Sequence, residues 1–343
     1  VLTPAEAIHD LDTLFEYIRA AAQEARVVLL PDFYIDHVVA TDIEELVQRI
    51  QQTAEWGGGN IPTTHTYVIG GNAANTAHAL LQLGFHPILI AETSPLGYSL
   101  LQQHFPNHML RIRIGRTAST SVILDGKWGE RTVNVMLSDP GPVSAFGPER
   151  LSEEEWRLIR DADLVFVGHW NLNQRGTDLL YAVCKEATGI TYADLGDIRH
   201  RLSDVEQLKH CVFQHRLLGV LSVNENEARL LTRVDDPVRA AKQLSRLYSI
   251  RIDLHTTDYT ASYYLGGGPR VSTVSVEVRN PTGAGDVWNA ANIAGYLAGL
   301  TIPERLAFAN LCAAVYVSDP KRRKPSLDAV YRFAKRYLKS VKP

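Results

Sequence analysis

Residues 279–300 read RNPTGAGDVWNAANIAGYLAGL, and the fold turns on what Gly283, Ala284 and Gly285 do there. Three small residues crowd one turn, Asp286 follows, and an apolar-periodic stretch begins. Glycine lacks Cβ, so such a turn can adopt positive φ and bring its backbone close to a ligand. Successive N–H groups at a helix N-terminus cradle an anion. A carboxylate at the same mouth repels phosphate, but it can take a proton from a hydroxyl that attacks phosphorus. General base catalysis of that kind is worth about 10²–10⁴-fold. A cradle beside a base outlines a phosphoryl-transfer site. The plain alternative is a capped helix, because Asp favours helix N-termini and glycine turns precede many helices. Two nucleotide motifs fail here. The dinucleotide fingerprint G-x-G-x-x-G meets Trp288 at its last position, and the Walker G-K-[ST] meets Gly126-Lys127 followed by Trp128.

Outward from this stretch, short apolar runs alternate with helix-like segments. Val27–Leu30, THTYVIGG, HPILIAE, DLVFVGHW, GITYAD, LLGVLSV and IRIDLHTT read as strands. Strand–helix alternation at this spacing predicts an α/β fold, a doubly wound and mainly parallel sheet covered on both faces. Thr3-Pro4 opens a helix expected to run to about Gln23. Residues 1–26 therefore read as an N-terminal helical extension and residues 27–343 as one domain. From Arg111 to Met136 the chain is rich in β-branched residues, alternates, and carries a turn signal at Asp125-Gly126. Segments at about 35–70 and 110–136 are expected to pair as a small β-sheet lid.

Composition restricts the partners. The 343 residues are 45% hydrophobic and 21% charged, enough for a full core. A net charge of −3 gives no general pull toward nucleic acid or an anionic membrane. No run approaches the ~20 apolar residues of a membrane span. The acidic, amphipathic N-terminus is unlike a signal peptide. Cys184, Cys211 and Cys312 are widely spaced and form no CxxC, so neither zinc nor a disulfide framework is suggested. A reducing, cytoplasmic setting is expected.

Three stretches together resemble the ribokinase-like carbohydrate kinase family. NPTGAGDVWNAANIAGYLAGL resembles its C-terminal signature, usually DTTGAGD; Asn280-Pro281 replaces the leading Asp-Thr. GGNAANTAHALLQLG (Gly70–Gly84) resembles its N-terminal signature, and SVNENEARLL (Ser222–Leu231) its N-x-x-E element. The likeness covers about residues 27–340. It implies transfer of a phosphoryl group from ATP or ADP, with Mg²⁺, to a hydroxyl of a sugar or sugar phosphate. It makes Asp286 the catalytic base and the backbone of Gly283, Ala284 and Gly285 the anion hole, in agreement with the residue chemistry above.

For the acceptor, the resemblance implies Asp36, with Asp32 competing, helped by Gly70, Gly71 and Asn75. Trp170 and Asn171 end a strand at the same crevice, and Asp194 and Arg199 match an Asp-Pro-x-x-Arg segment. For the nucleotide it implies Asn224, Thr256 or Thr257, and Asn310, although HTTDYTA (255–261) lacks the family's glycines. Glu227 would hold water around Mg²⁺, and Asn224 with Glu227 equally fits a helix cap. Arg111 and Arg113, two apart and so on one side of a strand, are expected to face Lys127 and Arg131 and hold a phosphate on the acceptor. The alternative for them is a solvated strand face. The expected partners are a nucleotide and a small acceptor, without nucleic acid or membrane, in a homodimer joined through the lid. Rival functions are a nucleoside kinase and a non-catalytic nucleotide or sugar sensor. A dehydrogenase is opposed by Trp288.

Overall fold

The structure, a computed structural model, describes residues 1–279 and 281–341; Asn280, the signature exchange noted above, lies outside the described residues. Its strands are β1 (Val27–Leu30), β2 (Tyr34–Ala40), β3 (Thr64–Gly70), β4 (Ile88–Thr93), β5 (Leu110–Ile114), β6 (Ser119–Trp128), β7 (Arg131–Asp139), β8 (Leu164–Val167), β9 (Ile190–Asp194), β10 (Val220–Asn224), β11 (Arg251–His255), β12 (Tyr259–Tyr263) and β13 (Arg270–Ser272). One sheet runs β13-β12-β11-β10-β9-β8-β1-β4-β5. It is parallel from β5 to β11, and β12 and β13 add antiparallel.

Period-2 alternation sorts its side chains onto two cores. Val27 and Leu29 face the core built with helices Leu11–Glu24, Asn72–Gln82, Ala284–Leu297, Ile302–Ser318 and Leu327–Val341. Val28 and Leu30 face the core built with helices Gly176–Glu186, Glu225–Thr232 and Pro237–Tyr248. The chain first moves from β1 toward β4 and β5, then returns past β1 to β8 and beyond. Strand order thus reverses at β1, and a crevice opens at the carboxyl ends there. No helix among the described residues is long and apolar enough to cross a membrane.

The N-terminal segment departs from its reading. It forms two helices, Pro4–Ala7 and Leu11–Glu24, because Asp10 accepts the N–H groups of Asp12 and Thr13 and starts the second. It is also no appendage. Leu14, Phe15, Ile18 and Ala22, spaced as one helical face, are buried, and Phe15 packs edge-on against Phe308 and Tyr331 at 5.6 and 5.2 Å. Burial of such side chains stabilises by roughly 1.5–3 kcal/mol each.

The lid is the second sheet, ordered β3-β2-β6-β7, and two readings of it are corrected. β5, with Arg111 and Arg113, pairs with β4 at the edge of the main sheet rather than joining the lid. The β6–β7 hairpin turns at Gly129-Glu130, after the pair Trp128↔Arg131; Asp125-Gly126 lies within β6, opposite Asn134 and Val133. Gly126 is there for a close approach: a Cβ would collide with the carbonyl oxygen of Thr41.

Candidate active site

Most of the candidate residues gather at the carboxyl ends of the parallel strands. Asp32 follows β1, His169 follows β8, Asp194 ends β9, Asn224 ends β10 and His255 ends β11. The lid brings Asp36 on β2 over the same crevice. Two contacts hold the lid to the C-terminal half. Asn134 on β7 donates to Thr282 Oγ1 at 2.9 Å, and Asp125 on β6 pairs with Arg322.

Helix Ala284–Leu297 begins at Gly283, whose φ of 82° is the left-handed conformation that glycine adopts freely. Ala284 N–H donates to the Pro281 carbonyl at 3.2 Å. The donors open to a ligand are therefore displaced toward Gly285 and Asp286, in the turn a helix leaves unpaired. Asp286 sits in that first turn. Burial pushes its carboxyl well above the usual carboxylate range; Lys324 opposes the shift, Asp194 and Asp32 add to it, and a hydrogen bond with Asn75 opposes it. Lys324 belongs to none of the signatures.

Asp36 is pushed up to about 7 by burial, against Lys324 and with Asp32. Its carboxylate lies against Gly70, where any Cβ would collide with it. Gly71 precedes helix Asn72–Gln82, whose Ala73 N–H donates to Asp32 Oδ1 at 3.1 Å. Asp32 is fully buried, and burial raises it to about 7 despite those backbone donors. His169 escaped the sequence reading. Its backbone is left-handed at φ 58°, and its Nδ1 lies 3.0 Å from Asn72 Oδ1 and 3.6 Å from Asp32 Oδ2. Burial holds the ring neutral, down to about 4. Its ring stands 4.9 Å from that of Tyr34. Asp32 Oδ2, Tyr34 Oη, His169 Nε2 and Asn171 Oδ1 are buried without a protein hydrogen-bond partner among the described residues. Four unmatched polar atoms around one crevice suit a polyhydroxylated ligand. Asn171 is held there by Nδ2–H to the Asp197 carbonyl at 3.1 Å. Trp170 instead packs in the core, its Nε1 donating to Thr177 at 2.9 Å.

Asn224 and Glu227 form a reciprocal cap. Asn224 Oδ1 accepts from the Asn226 and Glu227 N–H groups, while Glu227 accepts from the Asn224 N–H at 2.9 Å and its amide at 2.7 Å. Burial pushes Glu227 well above its ordinary value, and Asp194 and Asp197 push it further. Arg199 turns away in a bidentate pair with Asp197. Thr256 caps the β11–β12 turn through the Tyr259 carbonyl, and the Thr257 carbonyl accepts from Thr273.

Two expected site residues stand elsewhere. Asn310 is buried between helices: it accepts from Trp288 Nε1 at 3.0 Å and donates to the Ser272 carbonyl at 2.9 Å. Arg113 donates to the Arg150 carbonyl and lies 3.9 Å from Glu92. Among the described residues, neither side chain contacts the crevice, and with β5 on β4 a phosphate fork of Arg111 and Arg113 inside the lid is set aside.

Behind the crevice runs a buried polar chain. Asn289 donates to Asp194 at 2.7 Å and accepts from Tyr192, which accepts from Asn292. Asn292, Tyr296 and Arg305 all donate to Asp253 Oδ2, at 2.7, 2.7 and 2.8 Å.

Comparison with known proteins adds four findings. Residues 33–329 match the model of the pfkB family carbohydrate kinases. An ATP-dependent ribose-1-phosphate kinase from Halopiger xanaduensis is 27% identical over 277 residues, 77% of this chain and 86% of that protein. Adenosine kinase from Sinorhizobium meliloti superposes with a TM-score of 0.73 at 19% identity, over 91% of this chain and 99% of the other. Arabidopsis thaliana ribokinase complexed with ribose and ATP gives 0.70 at 18%, over 91% and 99%. At such identities the two solved structures speak for the fold.

Proposed function

The chain belongs to the pfkB family of carbohydrate kinases, and from that premise we propose that it moves the terminal phosphoryl group of ATP to a hydroxyl of a sugar or sugar phosphate, with Asp286 as general base. The observation that carries this reading is Asp286 at the glycine turn, hydrogen-bonded with Asn75 and sharing the Lys324 ammonium with the lid's Asp36. The acceptor hydroxyl gives its proton to Asp286. Its oxygen bonds to phosphorus as the bond to the ADP oxygen breaks. The N–H groups of Gly285 and Asp286 meet charge on the equatorial oxygens, where fixed donors act most strongly. Asp36, Asp32 and His169 Nε2 accept hydrogen bonds from the remaining hydroxyls. Support for ATP as donor comes from the name of the Halopiger relative.

Glu227 lies near Asp194 and Asp197, and such crowding of carboxylates is relieved by a cation. Both Glu227 oxygens already accept from Asn224, and no group of three ligating side chains stands ready among the described residues. The residues therefore fit a hydrated ion rather than a directly ligated one. Mg²⁺ held there through water would shield the nucleotide phosphates when bound. Glu227→Gln is expected to raise the Mg²⁺ concentration for half-maximal rate several-fold. Unchanged metal dependence with a lower melting temperature would return Glu227 to its capping role alone.

The rings of Tyr34 and His169 at the acceptor crevice favour a second reading, a nucleoside acceptor. Nucleotide consumption measured with ribose, ribose 1-phosphate and adenosine, each against ATP and ADP, separates the readings. Turnover of adenosine alone would replace the sugar reading, and turnover of none would sink both.

A further inference from the structure

The connection between helices Ile302–Ser318 and Leu327–Val341 carries the run KRRK, Lys321–Lys324. Its last three side chains part company. Arg322 reaches the lid at Asp125, Arg323 pairs with Asp319 at 2.8 Å, and Lys324 turns inward. Lys324 Nζ stands 4.6 Å from the centroid of the Tyr316 ring. The Tyr316 hydroxyl donates to the Thr282 carbonyl at 2.7 Å, which fixes the ring to the residue before the glycine turn. A Cβ placed on Gly283 would lie 3.3 Å from Nζ. The ammonium is thus at the surface of the turn itself. The carboxylates that act on it are Asp286 and Asp36. No ion pair or hydrogen bond within the protein occupies the ammonium among the described residues.

The surroundings need a cation. Asp32, Asp36, Asp194 and Asp286 face a crevice that must admit a polyphosphate. Among the groups acting on Asp286, Lys324 is the cationic one. Backbone N–H groups at a helix start amount to roughly half a positive charge, whereas a phosphoryl group in transit spreads its charge over three oxygens. We propose that Lys324 is a catalytic residue whose ammonium contacts the phosphoryl group as it passes from nucleotide to acceptor, completing the anion hole made by the Gly285 and Asp286 N–H groups. The inference rests on the kinase reading above. A counterion serving Asp286 and Asp36 alone would act on acceptor binding, and a group on the moving phosphoryl acts on the chemical step.

The experiment compares wild type with Lys324→Met and Lys324→Ala in the full chain. Lys324→Met is expected to lower kcat by at least about 10²-fold, the scale of one lost anion-hole donor, with the acceptor KM within about threefold. Aluminium fluoride, which mimics the phosphoryl in transit, should tighten ADP binding to wild type and fail to do so in Lys324→Met, while ADP alone binds both alike. Ethylammonium should restore part of the kcat of Lys324→Ala, a rescue that a misfolded variant cannot show. A kcat within threefold of wild type, a loss confined to acceptor KM, or an undiminished aluminium fluoride response overturns the proposal. Wild type that turns over no acceptor sinks the kinase reading instead, and the aluminium fluoride comparison still decides the role of the ammonium.

Discussion

Asp286→Asn is expected to lower kcat by at least about 10²-fold while ADP and ATP affinities stay near wild type. The amide keeps the size of the carboxyl and its place in the first turn of helix Ala284–Leu297, so the glycine turn stays in position. What it loses is the capacity to take a proton, and a lost general base costs about 10²–10⁴-fold. Steady-state rates and calorimetric nucleotide binding check the two halves. A folded variant with near wild-type kcat would remove Asp286 from its role. The wild-type pH profile provides a second check. Burial, with Asp194 and Asp32, holds the proton on Asp286 to higher pH, while Lys324 and Asn75 oppose. The base works ionised, so kcat/KM should fall as pH drops through a value above the usual carboxylate range. For His255, 3.8 Å from a Cβ placed at Gly285, burial lowers the pKa against Asp194 and Asp253.

Arg305→Met is expected to destabilise the fold by about 3–5 kcal/mol, the cost of leaving a buried charge without its partner. Arg305 is 1% exposed and Asp253 0%. Burial would raise Asp253, but Arg305, with donors from Ser262, Asn292 and Tyr296, prevails and holds it below its ordinary value. The folded value lies below the unfolded one. This stability is therefore present above the unfolded pKa of about 3.9 and is lost as pH falls through the folded value. Urea unfolding at neutral pH should show the full difference between wild type and variant, and the gap should narrow toward about pH 3, where the unfolded carboxylate protonates. A difference below about 1 kcal/mol at neutral pH would mean that the variant's cavity admits water to Asp253 or that the network repacks.

Legibility followed the range of the cause. The Asn224–Glu227 cap and the sequence Gly283–Asp286 are local, and residues three or four apart meet wherever a helix forms. Strand and helix alternation is also local, and the α/β sheet followed from it. β5 was misplaced because an alternating strand looks alike whether it pairs in a lid or at the edge of a parallel sheet. Asp125-Gly126 carries the composition of a turn, yet Gly126 answers to the Thr41 carbonyl, a neighbour far along the chain. Asn310 has the right place in sequence, but Trp288 and the Ser272 carbonyl use its amide. Lys324 and His169 had no local signal. A lysine in a basic run reads as solvated, and only the meeting of the C-terminal connection with the glycine turn brings its ammonium inside.

Helix Leu11–Glu24 has consequences for the chain during its making. Its partners, Phe308 on helix Ile302–Ser318 and Tyr331 on helix Leu327–Val341, leave the ribosome long after it does. Leu2, too, bridges to Val271. At about 5–20 residues per second, the apolar face of Leu14, Phe15 and Ile18 waits on the order of tens of seconds for its cover. Until then it is a surface for chaperones, and a nascent chain arrested before residue 300 should hold helix Leu11–Glu24 open to protease.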